Sequence, residues 1–200
     1  MYSIISIVVS YLLGSISFSY LFGKWIKGID IRKHGSGNAG ATNTLRVLGK
    51  GPAIMVLLLD AIKGVVAVLL GQWASPGTEG MWIPVLCGLA AIIGHNWPIY
   101  FGFRGGKGIA TTIGVMATLC FIPTLIAGLA AIVIIAITRF VSLGSLILTA
   151  LLPFLLWGMD RPVPILLISI LLCIFAIVRH RTNIVKLIQG KENKLGQKRA

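Results

Sequence analysis

Three short stretches of this sequence carry residue types suited to holding anions. The first runs Gly35-Ser36-Gly37-Asn38-Ala39-Gly40-Ala41-Thr42-Asn43 and is followed by Arg46. Glycine permits positive φ, so consecutive backbone N–H groups can converge on an anion. Hydroxyls and amides surround them, and Arg46 adds a planar donor fork suited to phosphate. Gly35 to Gly40 formally matches GxGxxG, but that fingerprint requires a strand–turn–helix within a parallel βαβ unit. No room exists here for such a sheet, and no lysine follows Gly40 to make a Walker-type loop. A flexible connector between helices is the other reading of the same residues.

The second stretch is Gly94-His95-Asn96-Trp97-Pro98, leading through Phe103 to Arg104-Gly105-Gly106-Lys107-Gly108. Three glycines around a lysine, just before a helix expected from Ile109, combine a helix N-terminus with an ammonium as an anion site. A tight turn whose Arg104 and Lys107 only set topology explains the charges but not the glycine density. His95 and Trp97 read as interfacial anchors. The third stretch is Arg179-His180-Arg181-Thr182-Asn183, then Gly190 and Glu192. Three residues apart, His180 and Asn183 share a helix face. Its alternative is a solvated basic cluster at a membrane edge.

The elements that must position these residues are membrane helices. The chain is 200 residues long, 56% hydrophobic and 12% charged, too apolar for an ordinary soluble domain. Its apolar residues form long uncharged runs: Tyr2 to Gly23, Met81 to Phe103, Ile109 to Thr138 and Phe140 to Met159. Runs near or above about 18 residues read as membrane helices. A chain this short cannot hide several of them in a soluble core. The first run is not a cleaved signal peptide, because Lys24 and Lys27 follow it and nothing basic precedes it. The net charge of +13 lies in loops beside the spans, which points to lipid headgroups rather than nucleic acid. Cys87, Cys120 and Cys173 stand singly in apolar runs and read as small buried filler, not a disulfide or zinc framework. With no linker or repeat, the chain reads as a single domain over residues 1–200.

Positive loops stay cytoplasmic. The stretch from Lys24 to Lys50 and the tail after Arg179 are strongly basic, whereas Gln72 to Gly80 has no Lys or Arg and one acid, Glu79. The third span returns to Arg104 and Lys107 on the inside, so an even number of crossings separates Lys107 from Arg179. Two are Phe140 to Met159 and Pro162 to Val178; hence the 30-residue run Ile109 to Thr138 counts as two, with a break expected near Pro123. Halves of about 15 residues rise only about 22 Å, short of a hydrocarbon core of about 30 Å, so a short or partly re-entrant hairpin is expected. The fold is therefore all-α, a bundle of about seven transmembrane segments, N-terminus outside and C-terminus cytoplasmic. All three motifs then fall on the cytoplasmic face. The second span, Gly51 to Leu70, holds Asp60 and Lys63, which share a face and can pair; a structural ion pair is favoured over a direct catalytic role.

These residues resemble the bacterial acyl-phosphate:glycerol-3-phosphate acyltransferase family of the PlsY type. The resemblance covers nearly the whole chain: Tyr11-Leu12-Leu13-Gly14-Ser15, the GSGNAGATN loop, Asp60 with Lys63-Gly64, the GHNWPxxFGFRGGKGIAT stretch and the final RHRTNI…GKE. Arg104 stands where lysine is common and Lys186 where arginine is common, each keeping the charge. The HxxxxD motif of other glycerol phosphate acyltransferases is absent, since Ala39, Tyr100 and Val185 lie five residues after the three histidines.

The resemblance implies transfer of a fatty acyl group from acyl phosphate to the 1-hydroxyl of glycerol 3-phosphate, giving lysophosphatidic acid. An acyl phosphate is already activated, so positioning and charge stabilisation suffice without a covalent nucleophile. On this basis Arg104, Gly105, Gly106, Lys107 and Gly108 are expected to hold donor phosphate and developing oxyanion charge. Ser36, Gly37, Asn38, Thr42, Asn43 and Arg46 are expected to orient glycerol 3-phosphate. His180 with Asn183, beside Arg179, either binds the acceptor or acts as general base. The flanking Arg179 and Arg181 disfavour a strongly basic imidazole, which favours acceptor binding. No cofactor or metal is implied. The expected partners are the two substrates and membrane lipids, with no obligate protein partner. A transporter for an anionic metabolite is the competing class; it predicts polar residues through the membrane depth and inverted repeats, which the sequence lacks.

Overall fold

A computed structural model describes residues 2–76 and 81–196. Glu79 and the end of the basic tail, with Lys198 and Arg199, lie outside the described residues. Among those described, the regular structure is helical, and the chain forms two compact units, Met1–Leu119 and Cys120–Ala200.

The first unit contains α1 (Tyr2–Gly14), α2 (Phe18–Lys27), α3 (Ala41–Leu48), α4 (Lys50–Ala74), α5 (Trp82–Asn96) and α6 (Ile109–Leu119). The second contains α7 (Phe121–Thr138), α8 (Val141–Gly158), α9 (Val163–Arg179) and α10 (Arg181–Ile188). Prolines mark many of the starts. Pro52, Pro84, Pro123 and Pro164 each fall within the first three residues of a helix, where the missing N–H has no intrahelical partner to lose. The run is interrupted as expected, but at Cys120, three residues before Pro123, which itself sits in the first turn of α7. The two parts are unequal, 11 residues in α6 and 18 in α7. At about 1.5 Å per residue, α7 rises about 27 Å and α6 only about 16 Å; α7 is long and apolar enough for a span, and α6 is the short half.

Among the described residues, five helical segments are long and apolar enough to cross a membrane, and a sixth follows if α9 and α10, bent by 63°, count as one. Ile132, Ile137, Phe154 and Trp157 point away from their own unit, as lipid-facing side chains must. The first span is not continuous. Ser15-Ile16-Ser17 interrupts it, with both serines buried, an interruption that its uniform hydropathy conceals.

In the first unit α1 packs on α4 and α5, and α4 packs on α5 and α6. Glycines bring these backbones together. A Cβ on Gly14 would strike the Ala91 carbonyl, and one on Gly94 the Tyr11 carbonyl, across the α1–α5 contact. Gly64 and Gly114 do the same between α4 and α6, Gly114 lying against the Ala61 carbonyl. Lipid offers no hydrophobic drive for helix association, so such small-residue contacts carry it. Gly114→Leu should therefore lower the thermal unfolding midpoint of detergent-purified protein, overpacking of this kind typically costing about 1–3 kcal/mol. An unchanged midpoint would show that α4 and α6 do not need this approach.

Candidate active site

The first glycine loop is built from its own backbone and one buried side chain. Asp30 caps a 3-10 turn, Ile31–Lys33, by accepting from the Arg32 N–H at 3.0 Å. The Arg32 guanidinium returns to both carboxylate oxygens at 3.0 and 2.9 Å. That pairing, opposed by partial burial, holds the Asp30 carboxyl below the usual carboxylate range. Arg32 also stacks 4.9 Å from the Tyr20 ring centre and donates to the Phe101 carbonyl at 2.7 Å, so it latches the first loop to the second.

Beyond this turn, Asn43 organises the loop from inside. Its Oδ1 accepts from Ser36 N–H at 2.7 Å, and its Nδ2 donates to the Ile31 and His34 carbonyls at 3.2 and 3.0 Å. At 1% exposure, Asn43 has its carboxamide committed to shaping the loop. Gly35, at φ 62°, lies so close that a Cβ would overlap Asn43 Oδ1. Ser36, Gly37 and the Arg46 side chain are exposed above this support, while Asn38 and Thr42 are half-buried. The backbone is thus held from below, the Ser36 N–H by Asn43 and the Gly37 N–H by the His34 carbonyl at 3.1 Å, while the Ser36 and Arg46 side chains stay exposed.

The second loop begins where α5 ends. Trp97 is tied to α1 through its carbonyl, which accepts from Tyr11 Oη at 2.9 Å. After a 3-10 turn, Ile99–Phe101, the chain folds back so that Gly106 N–H donates to the His95 carbonyl at 3.1 Å. Gly105 and Gly106 are glycine because this approach leaves no space. A Cβ on Gly105 would overlap the His95 carbonyl, and one on Gly106 the His95 Nε2 and, at 2.8 Å, the Ala39 carbonyl. Lys107 and Gly108 then lead into α6, whose first N–H groups face back along the helix axis. Arg104 is exposed and Lys107 half-buried. The Gly105–Gly106 turn, the Lys107 ammonium and the start of α6 are thus neighbours along the chain.

His95 departs from the sequence expectation. It is a buried residue, not an interfacial anchor: Lys63 Nζ lies 2.9 Å from its Nδ1, with Asp60 Oδ1 at 3.4 Å. The expected Asp60–Lys63 pair is present at 2.8 Å, with both side chains almost wholly buried. Spacing along α4 revealed the pair; the third member, 32 residues further on, left no local signal.

In the second unit His180 sits at the junction of α9 and α10, 2% exposed. Its Nδ1 lies 2.8 Å from the Ala176 carbonyl. A carbonyl can only accept, so Nδ1 carries the hydrogen and Nε2 is the lone-pair nitrogen of the neutral ring. Asn183, one turn on, donates to Glu192 Oε1 at 2.7 Å, which also accepts from Ser142 Oγ at 2.9 Å. Glu192 was noted in sequence but given no part in the site; it is 8% exposed and fixes the Asn183 carboxamide. One acid in an otherwise basic tail was the available signal. The tail is strapped further along, where Arg139 Nη2 donates to the Leu195 carbonyl at 2.7 Å.

Apolar helices of membrane-crossing length, joined by glycine-rich, cationic loops, define a polytopic membrane protein. Residues 4–190 match the family model for glycerol-3-phosphate acyltransferase. Glycerol-3-phosphate acyltransferase of Shouchella clausii (strain KSM-K16) is 57% identical over 98% of both chains. That of Halalkalibacterium halodurans is also 57% identical, over 96% of this chain and 95% of the relative. The crystal structure of PlsY (YgiH), an integral membrane glycerol 3-phosphate acyltransferase in its glycerol 3-phosphate form, superposes with a TM-score of 0.91. It is 38% identical, with 97% of this chain and 96% of that one covered. The chain belongs to the glycerol-3-phosphate acyltransferase family.

Proposed function

We propose that this protein transfers a fatty acyl group from acyl phosphate to the 1-hydroxyl of glycerol 3-phosphate, releasing phosphate and lysophosphatidic acid. The observation that carries the reading is the second loop, where Gly105 and Gly106 press against His95 and Lys107 enters α6. Such a loop suits the phosphate of an activated acyl donor. Lys107 and Arg104 offset charge as phosphate departs and the carbonyl oxygen becomes negative. In the first loop Ser36, Gly37, Asn38, Thr42 and Arg46 orient glycerol 3-phosphate, with Asn43 acting through the backbone it holds. His180, Asn183 and Arg179 act on the acceptor. A related PlsY structure in its lysophosphatidic acid form, 38% identical with a TM-score of 0.88, fits the product of this reaction.

The reading places seven segments across the bacterial inner membrane as one acyltransferase domain, with the N-terminus outside and the loops and C-terminus in the cytoplasm. The reaction is then the first acylation of phospholipid synthesis. Purified protein given labelled glycerol 3-phosphate should form lysophosphatidic acid with acyl phosphate and none with acyl-CoA. Turnover with the thioester and none with acyl phosphate would refute the donor assignment.

A further inference from the structure

A buried ion pair in a membrane helix calls for a reason beyond stability, because an apolar pair of similar volume is often as stable or more so. Asp60 and Lys63 lie mid-helix in α4, one turn apart. What they add over an apolar pair is direction. Lys63 Nζ reaches Asp60 Oδ1 at 2.8 Å, the Ile16 carbonyl at 3.0 Å and His95 Nδ1 at 2.9 Å. These belong to α4, to the interruption between α1 and α2, and to α5. One ammonium therefore joins three segments, and it satisfies a carbonyl freed by the break in the first span.

The ion pair also holds the His95 ring, whose Nδ1 lies 2.9 Å from Lys63 Nζ and 3.4 Å from Asp60 Oδ1, with Nε2 on the opposite edge. That Nε2 edge backs Gly106, where a Cβ would overlap both Nε2 and Cε1. The same histidine's carbonyl receives Gly106 N–H at 3.1 Å. Gly106 is gripped by the main chain and the ring of one residue, and the ring is held by the ion pair. The same Cβ would also meet the Ala39 carbonyl of the first loop, at 2.8 Å.

We infer that Asp60 and Lys63 are positioning residues: through His95 they set the position of Gly106, and with it the geometry in which the Gly105–Gly108 loop receives phosphate. The inference rests on the reading of that loop as the donor-phosphate site. A misplacement of about 1 Å at a positioning group can cost as much as a hundredfold, so loss of the relay is felt without contact to substrate.

The test uses two variants of the full-length protein in detergent. Asp60→Leu/Lys63→Met removes both charges together, so no unpaired charge is buried. His95→Gln keeps the ion pair and removes the ring that backs Gly106. Both should purify as folded, monodisperse protein. In each, KM for acyl phosphate should rise about tenfold or more while KM for glycerol 3-phosphate stays within about threefold. Thermal stabilisation by inorganic phosphate should need correspondingly higher phosphate. Unchanged donor KM and phosphate response in either folded variant overturns the inference. So does loss of folded protein in both, which would make the cluster a support of the whole bundle. A parent enzyme inactive with acyl phosphate but stabilised by phosphate would count against the donor assignment alone, and the phosphate comparison would still judge the relay.

Discussion

His180→Gln should leave a folded enzyme whose kcat/KM for glycerol 3-phosphate is roughly ten- to a hundredfold lower, with the loss expressed in KM. Removing a charged hydrogen-bond partner costs about 1.5–3 kcal/mol, which gives that factor. The geometry sharpens the choice between the two roles open to this residue. With Nδ1–H donated to the Ala176 carbonyl at 2.8 Å, only Nε2 can face a ligand. The neutral ring offers a lone pair there and can take a proton, whereas the imidazolium offers a donor and can bind phosphate. The neutral ring, which the flanking Arg179 and Arg181 favour, binds the acceptor by accepting from a glycerol hydroxyl at Nε2. Loss of that bond should raise KM for glycerol 3-phosphate with kcat little changed. A general base instead gives a rate that falls as pH drops and the ring becomes charged. If His180→Gln loses 10²–10⁴-fold in kcat at unchanged KM, and the acidic limb of the profile vanishes, His180 is the base.

Asn183 and Glu192 refine that picture. The sequence places His180 and Asn183 one turn apart on one helix face, whereas the structure puts His180 in the turn between α9 and α10 and Asn183 inside α10. Nor does the sequence show that Asn183 is oriented by an acid nine residues later, because the return of the tail over α8 has no local pattern. The same distinction runs through the molecule. Spans, loop composition and the Asp60–Lys63 pair follow from periodicity and charge, which act over one or two turns. The interruption at Ser15–Ser17 and the buried His95 both contact Lys63, which is remote in sequence from each. Asn43 carries a related lesson. Its residue type and position in a glycine loop suggested a ligand, and they suit equally a buried carboxamide that holds three backbone groups. Sequence alone does not say which way such a side chain turns. Pro123 misled for a simpler reason: the first turn of a helix accepts proline as readily as a break does.

Arg46→Ala and Lys107→Ala should separate the two loops kinetically. Arg46 lies on the exposed face of α3, where its removal leaves the Asn43 network and the Ser19–Thr44 hydrogen bond of 2.8 Å in place. The variant should fold, and its loss of roughly ten- to a hundredfold in kcat/KM should appear as a raised KM for glycerol 3-phosphate. Lys107 follows Gly106 directly and precedes the start of α6, so its loss should raise KM for the acyl donor instead. Part of that loss should appear in kcat, because an ammonium beside departing phosphate contributes more as charge develops than in the ground state. The crossed pattern matters more than either magnitude, since general damage to the bundle would weaken both substrates together. Near-normal kinetics in both variants at normal membrane levels would return Arg46 and Lys107 to the role of topology signals. The phosphate chemistry would then rest on backbone N–H groups alone.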